Sequence, residues 1–165
     1  MQSNREMARV QSRPKLAILY GPLLDYRVAL FNKLCERYDV TVFAFSFDGP
    51  RDALHFKLEV MSPRNIWRFR IQPGLRKRLK QGRFDACIAF LDVAYLSVLT
   101  TIFFPVSPRT IVWGPWITEN DVANRLRLAA VARSDAAVFY SHRHLQDFAA
   151  RCGSAIAWLA PTLAR

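Results

Sequence analysis

Short apolar runs alternate with amphipathic stretches along this chain from residue 15 onward. Residues 16–20 are continuously apolar, as expected of a parallel strand covered by helices on both faces. A tight turn at Gly21-Pro22 follows, then an amphipathic helix predicted over 25–37 and a second apolar strand over 40–45. On that helix Tyr26, Leu30, Leu34 and Tyr38 recur at four-residue spacing with Phe31 and Cys35 beside them, making an apolar stripe. Gly21 is expected to supply the backbone freedom for the strand-to-helix exit, and Asp25 to cap the helix. Strand, crossover helix and strand of this length predict a right-handed βαβ unit.

The theme repeats. Residues 56–61 read as a weakly patterned strand, and Pro73-Gly74 opens a short basic helix to about residue 81, ended by Gly82. Further strands are predicted over 84–90, 109–113, 136–140 and 155–159. A helix over 120–133 is expected to turn Val122, Leu126, Ala129 and Ala130 inward, and Ser141 to cap a helix that Gly153 stops. Such alternation predicts an α/β fold: a Rossmann-like, doubly wound, mostly parallel sheet. Ligand sites on such sheets lie at the carboxyl ends of the strands, which singles out the turn over 21–27.

Length and composition narrow this picture. The 165 residues suit one domain, expected over 15–165 behind a flexible basic tail at 1–14 that lacks the apolar core of a secretory signal. Cys35, Cys87 and Cys152 are odd in number and widely spaced, which reads as free thiols in a reducing compartment, with no metal site. Residues 86–106 are almost all apolar and long enough to cross a bilayer, but Asp92 interrupts them. A buried strand, a polar break and a buried helix ending near Pro105 is the preferred alternative to a membrane span.

Net charge is +11, and the excess is concentrated. Arg64, Arg68, Arg70, Arg76, Lys77, Arg78, Lys80 and Arg83 fall within 64–83 with no acid among them and with Trp67 and Phe69 interleaved. Such a run either attracts phosphates, whether on lipid head groups, nucleic acid or a nucleotide, or serves as a solvated face. No Gly-rich phosphate loop and no Gly-x-Ser-x-Gly elbow occurs, which disfavours the familiar nucleotide-loop and hydrolase chemistries.

Residues 16–34 (LAILYGPLLDYRVALFNKL), followed by Tyr38-Asp39-Val40-Thr41-Val42, resemble the opening of family 4 glycosyltransferases. There a strand leads to a proline-containing loop, a Tyr-Arg pair and a Phe-Asn-x-Leu helix. Phe84-Asp85-Ala86-Cys87-Ile88, Ile111-Val112-Trp113-Gly114, Ser134-Asp135-Ala136-Ala137-Val138 and Ala160-Pro161-Thr162 resemble later landmarks of the same family. The resemblance implies one lobe of a two-lobed GT-B fold: the amino-terminal, acceptor-side lobe. Its acceptor would be a lipid-linked or cell-envelope saccharide. It implies no cofactor bound by this lobe, a sugar nucleotide held on a missing or partner donor lobe, and little catalysis by this lobe alone. The expected location is cytoplasmic, peripheral at the inner face of the membrane. The competing reading is a non-catalytic basic α/β module binding nucleic acid or a protein partner, against which stands the lack of a nucleic-acid motif.

Candidate site residues follow from that placement. Asp92, at a strand end, is a candidate base or hydroxyl ligand, or a cap for the next helix. Gly21, Pro22, Tyr26 and Arg27 form the first acceptor-side loop; Arg27 would meet an acceptor phosphate or the opposing lobe, or pack over Tyr26. Gly114 and Trp116 follow a later strand, with Trp116 a sugar- or lipid-contacting ring and Trp113 core. The family's histidine in that loop is replaced by Pro115. His142 and Arg143 open a helix and could meet phosphate at its amino terminus, or simply decorate the helix face.

Overall fold

A computed structural model describes residues 13–152. The order is β1 (Lys15–Leu19), α1 (Asp25–Leu34), β2 (Asp39–Ala44), a 3-10 turn (Arg51–Ala53), β3 (Lys57–Val60), β4 (Arg64–Ile66) and β5 (Phe69–Ile71). Then follow α2 (Leu75–Gly82), β6 (Ala86–Phe90), α3 (Leu96–Phe103), β7 (Arg109–Trp113), α4 (Asp121–Arg133), β8 (Ala136–Val138) and α5 (His142–Cys152). Six strands form one sheet in the order β3-β2-β1-β6-β7-β8, and every pairing in it is parallel. The fold is α/β and Rossmann-like, with the switch point between β1 and β6. The strand expected over 155–159, the stop at Gly153 and the motif at 160–162 lie outside the described residues.

Alternation along β1 sends Leu16 and Ile18 to one face of the sheet and Ala17 and Leu19 to the other. On the first face α1 buries Phe31 against Ile18, Val42 and Trp113. On the second, α2, α3, α4 and α5 contribute Leu75, Leu79, Ile102, Ala130 and Phe148 to one continuous core. The segment over 86–106 divides as preferred, into β6, a break and the short α3, whose Val98, Leu99, Thr101 and Ile102 are buried. No helix among the described residues is long and apolar enough to cross a membrane.

The aspartates that stand before strands have a structural duty. The Lys15 amide donates to Asp85 Oδ2 at 2.7 Å while the Asp85 amide donates to the Lys15 carbonyl at 2.9 Å. Asp135 repeats this with Thr110, at 2.7 and 2.8 Å. Each closes the amino-terminal end of a strand pair and pins its register, the edge opposite the ligand side.

Four expectations are corrected. Asp25 does not cap α1: Leu24 holds the cap position without a side-chain bond, and Asp25 is the first helical residue, where its charge still complements the helix dipole. The stripe on α1 is rotated as well: Phe31 is fully buried, whereas Tyr26 is 65% exposed and Leu30 and Tyr38 also face outward. On α4, Val122 is 70% exposed and Leu126 and Ala129 are exposed too, while Asn124 and Arg127 turn inward with Ala130 and Val131. Finally, residues 64–71 form an antiparallel hairpin, β4 against β5, where only a basic run was foreseen. The helix after it ends with Gly82 inside and Arg83 in the left-handed conformation.

Rotation of α1 is directly testable by denaturant titration. Phe31→Ala is expected to lose about 3–5 kcal/mol of stability. Leu30→Ala is expected to cost under about 1 kcal/mol, since it removes an exposed chain. Equal losses would mean that both rows of the helix are buried.

Candidate functional site

The loops after β1, β6, β7 and β8 converge at the carboxyl edge of the sheet, and they hold the expected cleft residues. Gly21 sits buried at the switch point. Its backbone is not left-handed, contrary to the turn reading; space explains it instead. A Cβ there would stand 2.9 Å from the Tyr95 hydroxyl, which reaches under it from the β6 loop. Pro22 and Tyr26 are exposed beside it.

Arg27, one turn into α1, lies among aromatic rings. Its guanidinium carbon is 4.9 Å from the Tyr26 ring centre, 4.8 Å from Trp113 and 5.5 Å from Tyr140. Its Nη2 donates to the Tyr140 hydroxyl over 3.4 Å. Stacking of this kind fixes the plane of the charge without neutralising it. Trp113 itself is core, packed with Tyr20, Phe31 and Phe90, as anticipated.

Gly114 holds a left-handed φ of +73°, and a Cβ there would collide with the Tyr140 ring at 2.7 Å. The chain then turns through buried Pro115 to half-buried Trp116, whose ring packs on Phe90 at 6.3 Å. Arg127 of α4 covers Trp116 at 5.0 Å from the ring centre. Its Nη1 donates to Thr118 Oγ1 and Asn124 Oδ1, at 3.1 and 3.3 Å. Asn124 in turn accepts from the Thr118 amide and donates to its carbonyl, so the loop is strapped to the helix.

Asp92 is half-buried in the β6 loop, and its Oδ1 accepts from the Ala94 amide at 2.9 Å. It therefore caps the turn two residues ahead, not α3, which starts at Leu96 with Tyr95 in the cap position. Burial lowers the Arg127 pKa, and the Asp92 charge works against that shift. His142 and Arg143 are exposed at the start of α5, where Ser141 Oγ accepts from the His144 amide as expected of a cap.

The basic run divides between two places. Arg70 reaches the β6 loop at the carboxyl edge: its Nη1 donates to the Tyr95 hydroxyl at 3.3 Å and its amide to the Ala94 carbonyl at 2.8 Å. Arg64, Trp67, Arg68, Arg76, Lys77, Arg78 and Lys80 are all exposed on the hairpin and α2. Trp67, 82% exposed with φ of +55°, forms the hairpin tip with Arg68 stacked on its ring at 4.6 Å. A cavity of about 570 Å³ lies instead at the amino-terminal edge, between Lys15, Asp39, His55 and Arg83. It adjoins the Asp85 clamp, away from the converging loops.

Sequence reasoning passed over Tyr20, Tyr95, Asn124, Arg127 and Tyr140. Asn124, Arg127 and Val131 share one helical face at i, i+3 and i+7, a spacing that was available. Two inward polar residues ran against the expectation that apolar positions mark the core side. Tyr20 and Tyr140 read as ordinary strand ends, and Tyr95 as part of the apolar run after Asp92.

No family model matches the chain, and no curated protein matches it. Among solved structures it is similar to a putative UDP-N-acetylglucosamine 2-epimerase from Listeria monocytogenes, with a TM-score of 0.53 and 10% identity. That match covers 87% of this chain, which spans only 44% of the other. A likeness at this identity is one of fold.

The Tyr140 phenol is pushed up to about 12, first by burial and then by Tyr20 beside it, with the Arg27 charge pulling the other way. A proton held more tightly in the folded chain stabilises it fully below the ordinary value of 10.0, and that contribution is lost as pH rises to about 12. Between those limits the denaturation midpoint is expected to fall more steeply in the parent chain than in Tyr140→Phe. Parallel curves would place the alkaline loss on other groups.

Proposed function

We propose that this chain is the acceptor-side lobe of a family 4-like, GT-B glycosyltransferase acting on a lipid-linked or cell-envelope saccharide. The observation that carries the reading is the carboxyl edge, where Tyr26, Trp116 and the stacked Arg27 surround the switch point between β1 and β6. Rings with apolar faces and polar rims suit the alternating surface of a sugar, and switch points are where sheets of this kind take ligands. Within that reading Asp92 meets the acceptor hydroxyl as base or hydrogen-bond acceptor, with the Oδ2 side of its carboxylate available. His142 and Arg143 extend the same rim. The sugar nucleotide is held by a donor lobe, in the same protein or in a partner.

The hairpin and α2 are the proposed seat on the cytoplasmic face of an anionic membrane. Exposed Ile66, Trp67 and Phe104 provide apolar contact, and the surrounding cations are free of acids except at Arg78, which approaches Glu59 at 3.9 Å. Each such cation near an anionic surface contributes about 1 kcal/mol.

Two measurements check these parts separately. Intrinsic tryptophan fluorescence is expected to respond saturably to a lipid-linked oligosaccharide, and Trp116→Ala to weaken that binding about tenfold, the loss of one stacking ring. Unchanged affinity would remove Trp116 from the site. In vesicle sedimentation, reversing Arg76, Lys77 and Arg78 to glutamate is expected to abolish binding to anionic vesicles, which in the parent chain weakens with salt. Retention of vesicle binding by that variant contradicts the membrane seat, and steeply salt-dependent nucleic-acid binding instead supports the non-catalytic reading.

A further inference from the structure

We infer that the carboxyl edge receives a phosphate or diphosphate group, held by Arg27 from one flank and Arg127 from the other. This rests on the reading above that the edge is the ligand side, and it names the chemistry of what binds there. Arg127 is only 5% exposed, and no carboxylate among the described residues lies within ion-pair distance of it. A guanidinium taken out of water without a paired counter-charge is costly. Strapping the loop to α4 uses Nη1 alone, a duty a neutral amide could perform. The Nε of Arg127 is buried and donates to nothing.

Arg27 repeats the arrangement. Among the described residues it too has no acid within ion-pair distance, and its Nε is buried and unpartnered. Each guanidinium lies on a tryptophan of the same turn, Arg27 on Trp113 and Arg127 on Trp116. Both tryptophans pack on Phe90, at 6.5 and 6.3 Å, so three rings join the two charges across the ends of β6 and β7. Ring stacking occupies the flat faces; Arg27 gives N–H groups to Tyr20 and Tyr140 and Arg127 gives Nη1 to Thr118 and Asn124, and the remaining in-plane N–H groups are the kind by which arginine grips phosphoryl oxygens. A neutral saccharide hydroxyl would leave both charges uncompensated; a phosphorylated ligand would not. The Asp92 charge acts on Arg127 from beyond ion-pair distance, so this one carboxylate offsets the charge of the two guanidiniums only in part.

The test titrates the full chain with inorganic pyrophosphate at physiological salt, following tryptophan fluorescence and heat. Saturable binding is expected, weakened about tenfold or more by Arg127→Gln and by Arg27→Gln, as for loss of a charge-assisted pair. The triple change of Arg76, Lys77 and Arg78 to glutamine is expected to leave it within about twofold, because those cations sit on the separate basic surface. Arg127→Lys keeps the charge without the fork and is expected to fall between. Absence of saturable binding, affinity in the Arg27→Gln and Arg127→Gln variants equal to that of the parent chain, or an equal loss in the triple variant overturns the inference. Should Arg127→Gln unfold, Arg27→Gln and Arg127→Lys carry the same comparison. Uridine diphosphate against farnesyl diphosphate then distinguishes a nucleotide from a lipid source. An unphosphorylated oligosaccharide that binds while pyrophosphate does not leaves the acceptor reading standing and removes this one.

Discussion

Parallel pairing between β1 and β6 is the constraint on which the remaining geometry depends. The chain leaves β1 toward β2 and β3 on one side, and returns to β6 to build β7 and β8 on the other, so consecutive loops part at that seam. Asp85 secures the seam at its amino end through two hydrogen bonds to Lys15. A slip of one residue there would exchange the two faces of β1, moving Ile18 and Leu19 into each other's cores. At the opposite end the same pairing presses Gly21 onto Tyr95, and Tyr95 takes the Arg70 side chain. The basic hairpin is thereby tied to the carboxyl edge of the sheet.

Charge is treated differently at the two edges. Along the amino-terminal edge the aspartates are consumed by backbone amides, and their role is register. At the carboxyl edge, two arginines are immobilised on tryptophan faces, with no carboxylate among the described residues within ion-pair distance and the Asp92 charge acting on Arg127 from farther off. Aromatic stacking permits this because it restricts a guanidinium's motion while leaving its N–H edge unoccupied. The field of such a rim is positive, and the low polarity of its ring walls keeps that field from being screened as it would be on open surface.

Much of the fold is legible by inspection because its signals are local. Continuous apolar runs bounded by Gly, Pro and Asp locate β1, β2, β6 and β7 within two residues, and Ser141 marks the start of α5 as a cap. The position of Gly21, Arg27, Asp92, Gly114 and Trp116 at strand ends follows from the same reading. Less legible were the faces. Leu30 and Leu126 look like core residues and are exposed, whereas Arg127 looks like surface and is buried. In the hairpin, Trp67 adopts a conformation that its residue type does not advertise.

That division has a physical cause. Hydrophobic period and capping chemistry are properties of a few neighbouring residues, so strand and helix order could be written down from the chain itself. Which row of a helix turns inward, and which charges are left without partners, depends on what the sheet brings opposite it from far along the chain. Arg127 lies on Trp116 because β7 feeds that loop beneath α4, and Arg27 reaches Tyr140 because β8 ends beside β7. Only the assembled sheet puts those groups together.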